Sequence, residues 1–185
     1  MKLPVVNALR LPLRPGREYE TRFDREQSSL KILAIPIASI ILCSVVTTLP
    51  FLLAQPLLPP LGLMMLLAWR LMRPGLLPMW AGLPFGLFDD VFSGQPLGSA
   101  GLIWSLVMIT IELIDARAIW RDHWQDWVIA SVLIASALLL GLFIVGLAYS
   151  APAPAVLLPQ IILSILLYPL IVRLCAWMDR WRLAT

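Results

Sequence analysis

Residues 127–149 read WVIASVLIASALLLGLFIVGLAY, a run of 23 residues without a charged side chain. A helix needs about 20 apolar residues to cross about 30 Å of hydrocarbon. Residues 32–53 form a second run of this length, and a third begins at residue 155 and continues past Arg173 to residue 177. These three segments predict helices that span a membrane.

The composition of the whole chain also indicates that lipid surrounds it. Of its 185 residues, 60% are hydrophobic and 14% are charged, whereas a soluble chain has about 45–50% apolar and about 25% charged residues. A chain this short cannot bury so much apolar surface in a core of its own. The net charge of +3 would suggest nucleic acid only if the bases formed a patch. They lie between apolar segments instead, so we expect a lipid bilayer and no nucleic acid as the partner.

Three shorter apolar runs lie between the long ones, at residues 57–72, 76–92 and 98–114. Runs this short are also compatible with core helices or a re-entrant pair. Counted as spans, they predict an all-α membrane protein, a compact bundle of six transmembrane helices at about 32–53, 57–72, 76–92, 98–114, 127–149 and 155–177. The domain division is then a basic cytosolic tail (1–31), a membrane domain (32–179) and a cytosolic C-terminal end (180–185).

The basic residues are confined to alternate connections. All 14 lysines and arginines fall before the first run, at the second-to-third junction, in the fourth-to-fifth loop or at the C-terminal end: Lys2, Arg10, Arg14, Arg17, Arg22, Arg25, Lys31; Arg70, Arg73; Arg117, Arg121; Arg173, Arg180, Arg182. The positive-inside rule then predicts six spans with both termini in the cytoplasm. Most tryptophans fall near the same side, which is typical of an interfacial belt: Trp69, Trp80, Trp120, Trp124, Trp127, Trp177 and Trp181.

Two adjacent carboxylates, Asp89 and Asp90, lie in the third run. An Asp at a helix centre costs about 2.5–3.5 kcal/mol on insertion scales, although a residue near a helix end offsets part of this cost by reaching outward. Asp90 continues a four-residue repeat of small residues, the kind that allows close helix approach: Gly82, Gly86, Asp90, Gly94 and Gly98. We expect donors from a neighbouring helix to meet Asp90, either as an organising contact of the bundle or as the floor of a ligand cavity.

Further polar residues repeat every fourth position on the sixth run and predict an inward polar stripe: Gln160, Ser164 and Tyr168. Glu112, near the cytosolic boundary, is expected to pair with Arg70 or Arg73. A catalytic set is not indicated. The side chains of adjacent aspartates diverge by about 100° on a helix, and the single histidine, His123, argues against a histidine-based triad or metal site.

Residues 86–98, GLFDDVFSGQPLG, resemble the G-x-x-x-D-x-x-S-G-x-x-L-G segment of the bacterial rod shape-determining MreD family. Pro60, Trp69, the Arg73-Pro74 pair and the Tyr168-Pro169 pair are similar to other positions of that family, and the resemblance covers most of the chain. Asp90 takes the position of the family's Asp. Asp89 stands where the family more often has an apolar residue.

The resemblance implies a non-enzymatic scaffold of the cell-elongation machinery in the bacterial inner membrane, without cofactor or metal. Its implied partners are MreC and, directly or through MreC, the cell-wall transpeptidase and the RodA-type glycosyltransferase. The small-residue repeat and the resembling segment together predict the partner-binding or helix-packing residues Gly82, Gly86, Asp90, Gly94, Pro96 and Gly98. The family also resembles the substrate-binding subunits of vitamin transporters. That alternative requires Asp90 and the polar stripe to line one closed cavity of roughly 300 Å³ or more.

Overall fold

The computed structural model describes residues 33–47, 58–93, 96–117, 123–148 and 157–184. These ranges contain six α-helices and no β-strand, which confirms the all-α prediction. The helices are α1 (Leu33–Thr47), α2 (Leu61–Met72), α3 (Gly82–Ser93), α4 (Ser99–Arg117), α5 (His123–Ala148) and α6 (Leu158–Ala184). A 3₁₀ turn, Met79–Ala81, leads into α3.

Three helices are long and apolar enough to cross a membrane, at Ser99–Arg117, Trp124–Leu147 and Leu158–Arg182. The chain is therefore a membrane protein. Helices α2 and α3 have 12 residues each, which corresponds to about 18 Å at about 1.5 Å per residue. This length is less than the hydrocarbon thickness, so helix length alone does not establish six spans, and that count stays a prediction.

Helix α2 lies at the centre of the bundle, with residues 62–71 all buried. It packs against α5 and α6, and a hydrogen bond links it to α1. In that bond the indole N–H of Trp69 donates to Ser39 Oγ at 2.9 Å. Trp69 is fully buried, so its assignment to an interfacial belt was wrong. Neighbouring helices surround its helix on all sides, and the indole finds its polar partner inside the bundle.

Helix α6 buries a single stripe of its surface. The buried residues recur every three or four positions: Ser164, Tyr168, Ile171, Cys175, Asp179 and Arg182. The opposite face is apolar and exposed, as expected where lipid is the solvent. The helix continues to Ala184, seven residues beyond the predicted end of the last span.

Pro169 lies inside α6 and has no N–H to donate to the carbonyl four residues earlier. That carbonyl, of Ile165, instead accepts a hydrogen bond from the indole of Trp127 on α5, at 3.4 Å. A freed backbone carbonyl at membrane depth requires such a substitute donor. The proline thus creates a polar contact that joins the two longest helices.

Candidate functional site

The carboxylate of Asp90 is buried between α3 and the start of α4, with 2% of the residue exposed. One oxygen, Oδ1, accepts from the hydroxyl of Ser99 and the N–H of Ala100, each at 2.9 Å. The other, Oδ2, accepts from the N–H of Gly98 at 2.9 Å and of Gly101 at 3.2 Å. Four donors, three in the first turn of α4 and one just before it, therefore surround one side chain.

The chemistry of a helix start explains this arrangement. The first N–H groups of a helix have no partner within the helix, and this end carries partial positive charge. Asp90 supplies the missing acceptors and an opposite charge from the preceding helix. Gly98, at φ +94°, adopts the left-handed turn that glycine tolerates best, and the following Ser99 N–H donates to Pro96 O at 3.0 Å.

Gly82 and Gly86 allow α3 and α4 to touch along their backbones. A Cβ atom at Gly82 would lie 2.6 Å from the carbonyl oxygen of Trp104, and one at Gly86 would lie 2.5 Å from that of Ala100. Backbone atoms cannot rotate aside as a side chain does, so any larger residue must push the helices apart. The chain therefore brings Gly82, Gly86 and Asp90 together on the face of α3 that meets α4.

The remaining members of the predicted four-residue repeat are placed differently. Helix α3 ends at Ser93, so Gly98 belongs to the turn before α4 and not to a continuing helix face. Pro96 lies in the same turn, where its carbonyl is an acceptor. Gly94 is outside the described residues.

The side chain of Asp89 lies in different surroundings from that of Asp90. It lines a cavity of about 250 Å³ together with Gln160 of α6. The amide of Gln160 donates to the carbonyl oxygen of Leu58 at 2.7 Å, and this bond holds the start of α6 against the segment that precedes α2. The two adjacent aspartates thus face different surroundings, as their divergence on a helix requires.

The polar stripe of α6 does not form one site. Ser164 is buried and donates to the carbonyl of Gln160 in its own helix at 2.7 Å. Tyr168 is buried and lines a second cavity, of about 490 Å³, which does not include Gln160. Asp90 and Ser164 line neither cavity. The single closed cavity that a vitamin-binding subunit requires is therefore unsupported.

Charged residues of α2, α4 and α6 pair at one end of the bundle. Arg70, whose side chain is 4% exposed, pairs with Glu112 and lies 3.3 Å from Asp115. The predicted pairing of Glu112 with Arg70 is confirmed. Arg73 instead pairs with Asp179 at 2.8 Å.

Sequence reasoning missed Asp179. This buried carboxylate also pairs with Arg182 at 2.6 Å, and the guanidinium of Arg182 lies 5.5 Å from the ring centre of Trp69, within the range of a cation–π contact. The residue spacing along α6 could have indicated this position. Extending the spacing of Ser164 and Tyr168 along α6 places residues 179 and 182 on the same buried face.

This arrangement is suited to holding helices together. Throughout the described ranges, His, Cys, Asp and Glu side chains do not come together in any group of three that could hold a metal ion. Both oxygens of Asp90 accept hydrogen bonds from α4 and from the turn before it, which leaves that carboxylate poorly placed to accept a proton from a substrate.

Comparison with known protein families agrees with this geometry. A family model described as rod shape-determining protein MreD matches residues 26–178. The chain belongs to the MreD family. The match covers α1 to α5 and α6 as far as Met178, including the joint between α3 and α4. Searches of curated proteins and of solved structures found no match to the chain.

Membership of the MreD family makes this a membrane protein that determines rod shape. Proteins of the MreD family have a structural role in cell shape, which agrees with a site whose polar groups bind one another.

Proposed function

We propose that the chain is a non-catalytic scaffold of the cell-elongation complex in the bacterial inner membrane. It binds MreC and, directly or through MreC, the cell-wall transpeptidase and the RodA-type glycosyltransferase that build peptidoglycan. Two kinds of support stand behind this proposal. The chain is an MreD-family protein over residues 26–178, and its buried charged residues Arg70, Asp90 and Asp179 bond to other helices.

The observation that carries the proposal is the environment of Asp90. A carboxylate kept for ligand binding or acid–base chemistry needs an open approach, but this one is 2% exposed and accepts from four donors of its own chain. Its role is then to fix the relation between α3 and α4. A protein organised in this way acts through the shape of its lateral surfaces, which suits a scaffold.

The proposed topology has six spans with both termini in the cytoplasm, a cytosolic tail at 1–31 and a C-terminal end at 180–185. Segregation of the bases supports it. A cysteine introduced as His123→Cys should react with a membrane-impermeant reagent only after the cytoplasmic side is opened. Labelling from the outside of intact spheroplasts would exclude this topology.

Co-purification with MreC in mild detergent tests the function. Gly86→Leu forces a side chain into the backbone of α4, where a Cβ already lies 2.5 Å from the Ala100 carbonyl oxygen. We expect it to reduce MreC recovery severalfold. Leu87→Ala, which shortens a side chain on the adjacent position, is the matched control and should retain near-normal recovery. Equal recovery of MreC by both variants would contradict the proposal.

The same preparation tests whether the polar stripe has a ligand. Gln160→Leu removes one hydrogen bond, worth about 0.6 kcal/mol on average within membranes, so rod shape should persist in cells that express only this variant. Denatured wild-type protein should release no stoichiometric small metabolite. Release of one such molecule per chain, lost in Gln160→Leu, would favour a binding subunit over a scaffold.

A further inference from the structure

The exposed face of α6 changes in character along the helix. Its residues recur every three or four positions, so they lie on one side of the helix. They are aliphatic in the first half of α6 and then basic and aromatic: Ile162, Leu166, Leu170, Arg173, Leu174, Trp177, Arg180 and Trp181. The basic and aromatic part lies at the charged end of the bundle, where Asp179 is paired. We call these eight residues the outer stripe of α6.

The two arginines of the outer stripe have no counter-charge within the described ranges. Arg173 and Arg180 are both exposed, and neither forms an ion pair there. The only acidic residue of α6, Asp179, is buried in the ion pairs described above. Asp126 of α5 lines a cavity beside Arg173 but interacts with another residue. The outer stripe therefore has two positive charges and no negative charge of its own.

The tryptophans of the outer stripe indicate its depth in the bilayer. The indole rings of Trp177 and Trp181 stack, with their centres 5.9 Å apart and their planes at 23°. Both side chains are exposed, and indoles favour the depth at which lipid headgroups meet the acyl chains. Trp177 lies four residues after Arg173 and three before Arg180, so the two arginines flank it. Both guanidinium groups are thus within reach of lipid phosphates.

A phospholipid presents the same sequence of groups along its length. We propose that the outer stripe of α6 binds an anionic phospholipid, with its acyl chains along Leu166 and Leu170 and its phosphate held by Arg173 and Arg180 at the level of Trp177. Arginine matches phosphate in a bidentate geometry. In a zwitterionic lipid the ammonium group next to the phosphate would be repelled by the second arginine.

This site is separate from the scaffold role, because the joint between α3 and α4 uses none of its residues. An acidic protein segment would match the two arginines as well. It would leave the aliphatic half of the outer stripe without a partner, whereas acyl chains cover that half in the same direction as the charges require. The order of side chains along α6 therefore favours a lipid.

Native mass spectrometry of the delipidated full chain tests this proposal. The protein is given an equimolar mixture of dioleoyl phosphatidylglycerol and dioleoyl phosphatidylcholine in mild detergent. The two lipids share their acyl chains and phosphate and differ in net charge. Wild-type protein should retain the glycerol lipid in about threefold to tenfold excess, the scale of two exposed ion pairs. Equal retention of the two lipids would overturn the proposal.

Charge variants locate the preference on the outer stripe. Arg173→Gln and Arg180→Gln should each lower the excess about twofold to threefold, and the double variant should show no preference. Arg173→Lys should keep most of the excess, because the positive charge remains. The matched control is Arg117→Gln, the same change at an exposed arginine that ends α4, and it should change nothing.

The ratio of the two lipids is read within one folded population, so a loss of total protein does not mimic the effect. The proposal is overturned if the double variant keeps the preference, or if Arg117→Gln lowers it as much as Arg173→Gln does.

Two competitors identify the kind of ligand. Glycerophosphoglycerol, the headgroup without acyl chains, should displace the bound lipid at least about tenfold less effectively than phosphatidylglycerol does, because it buries no apolar surface. A hexaglutamate peptide should not displace the lipid at equal concentration. Competition by glycerophosphoglycerol as strong as that of the lipid would replace the lipid by a soluble anion. Displacement by the peptide would replace it by an acidic protein segment, and either result overturns the proposal.

Discussion

Replacing Asp90 by asparagine tests the joint between α3 and α4 with a nearly isosteric side chain. Asparagine keeps one acceptor oxygen, which can serve the Ser99 hydroxyl and the Ala100 N–H. Its NH₂ group then faces the N–H groups of Gly98 and Gly101, which now bond Oδ2 at 2.9 and 3.2 Å. Each buried donor left without an acceptor costs about 1–3 kcal/mol.

Loss of the negative charge at the start of α4 adds up to about 2 kcal/mol. Removal of one polar side chain inside a membrane protein costs a free energy at the lower end of these ranges. We therefore expect Asp90→Asn to destabilise the protein by about 2–4 kcal/mol in total. In a chain of this length, where 1 kcal/mol shifts the midpoint by about 2–4 °C, thermal unfolding in mild detergent should then occur about 4–16 °C lower. The measurement is intrinsic tryptophan fluorescence during heating.

The matched control is Asp89→Asn, the same chemical change at the neighbouring position. Asp89 lines a cavity and does not bond the start of α4, so removal of its charge should leave the transition within about 2 °C of the wild type or raise it. If both variants unfold at the same temperature, or if Asp90→Asn unfolds with the wild type, the proposed joint is refuted.

Three other predictions follow from the packing of the helices. Gly86→Ala should lower the unfolding temperature in the same assay, because even one methyl group meets the backbone of α4 at 2.5 Å; an unchanged temperature would contradict the close contact. Trp127→Phe should cost about 0.6 kcal/mol in detergent unfolding but nothing in a Pro169→Ala background, where the helix supplies its own donor; equal costs in both backgrounds would disprove the coupling. Asp179→Asn should destabilise by about 2–3 kcal/mol, since it removes the negative charge that pairs with the buried Arg182, whereas Glu112→Gln, at a side chain 53% exposed, should cost less than about 1 kcal/mol; the reverse order would refute this explanation.

The sequence predicted the helices well because hydrophobic length and glycine spacing are local signals. It also predicted that donors of a neighbouring helix would meet Asp90. It did not reveal that three of the four donors are backbone N–H groups at or just before the start of α4, although Gly98 and Ser99 are typical of a helix start. The pairing of Arg73 with Asp179, 106 positions away, depends on how α2 and α6 lie together. Residue spacing carries no information on that distance.

Trp69 is a second residue whose surroundings the local sequence did not predict. A tryptophan next to an arginine at the end of an apolar run is typical of a membrane interface. Its burial follows from the central position of α2, which depends on three other helices. The local sequence therefore predicted where tryptophan usually lies in membrane proteins, and not where Trp69 lies in this one.

The capping of α4 by Asp90 has a consequence for how the chain enters the membrane. Asp90 without its donors is a polar side chain left without partners in hydrocarbon, and the start of α4 without Asp90 exposes N–H groups to lipid; either half alone is unfavourable there. The two become compatible with lipid only together. Only eight to eleven positions separate Asp90 from its backbone donors, so both leave the ribosome within moments of each other. Helices α3 and α4 should therefore partition from the translocation channel as one hairpin, and a long insertion at the turn should delay the release of both.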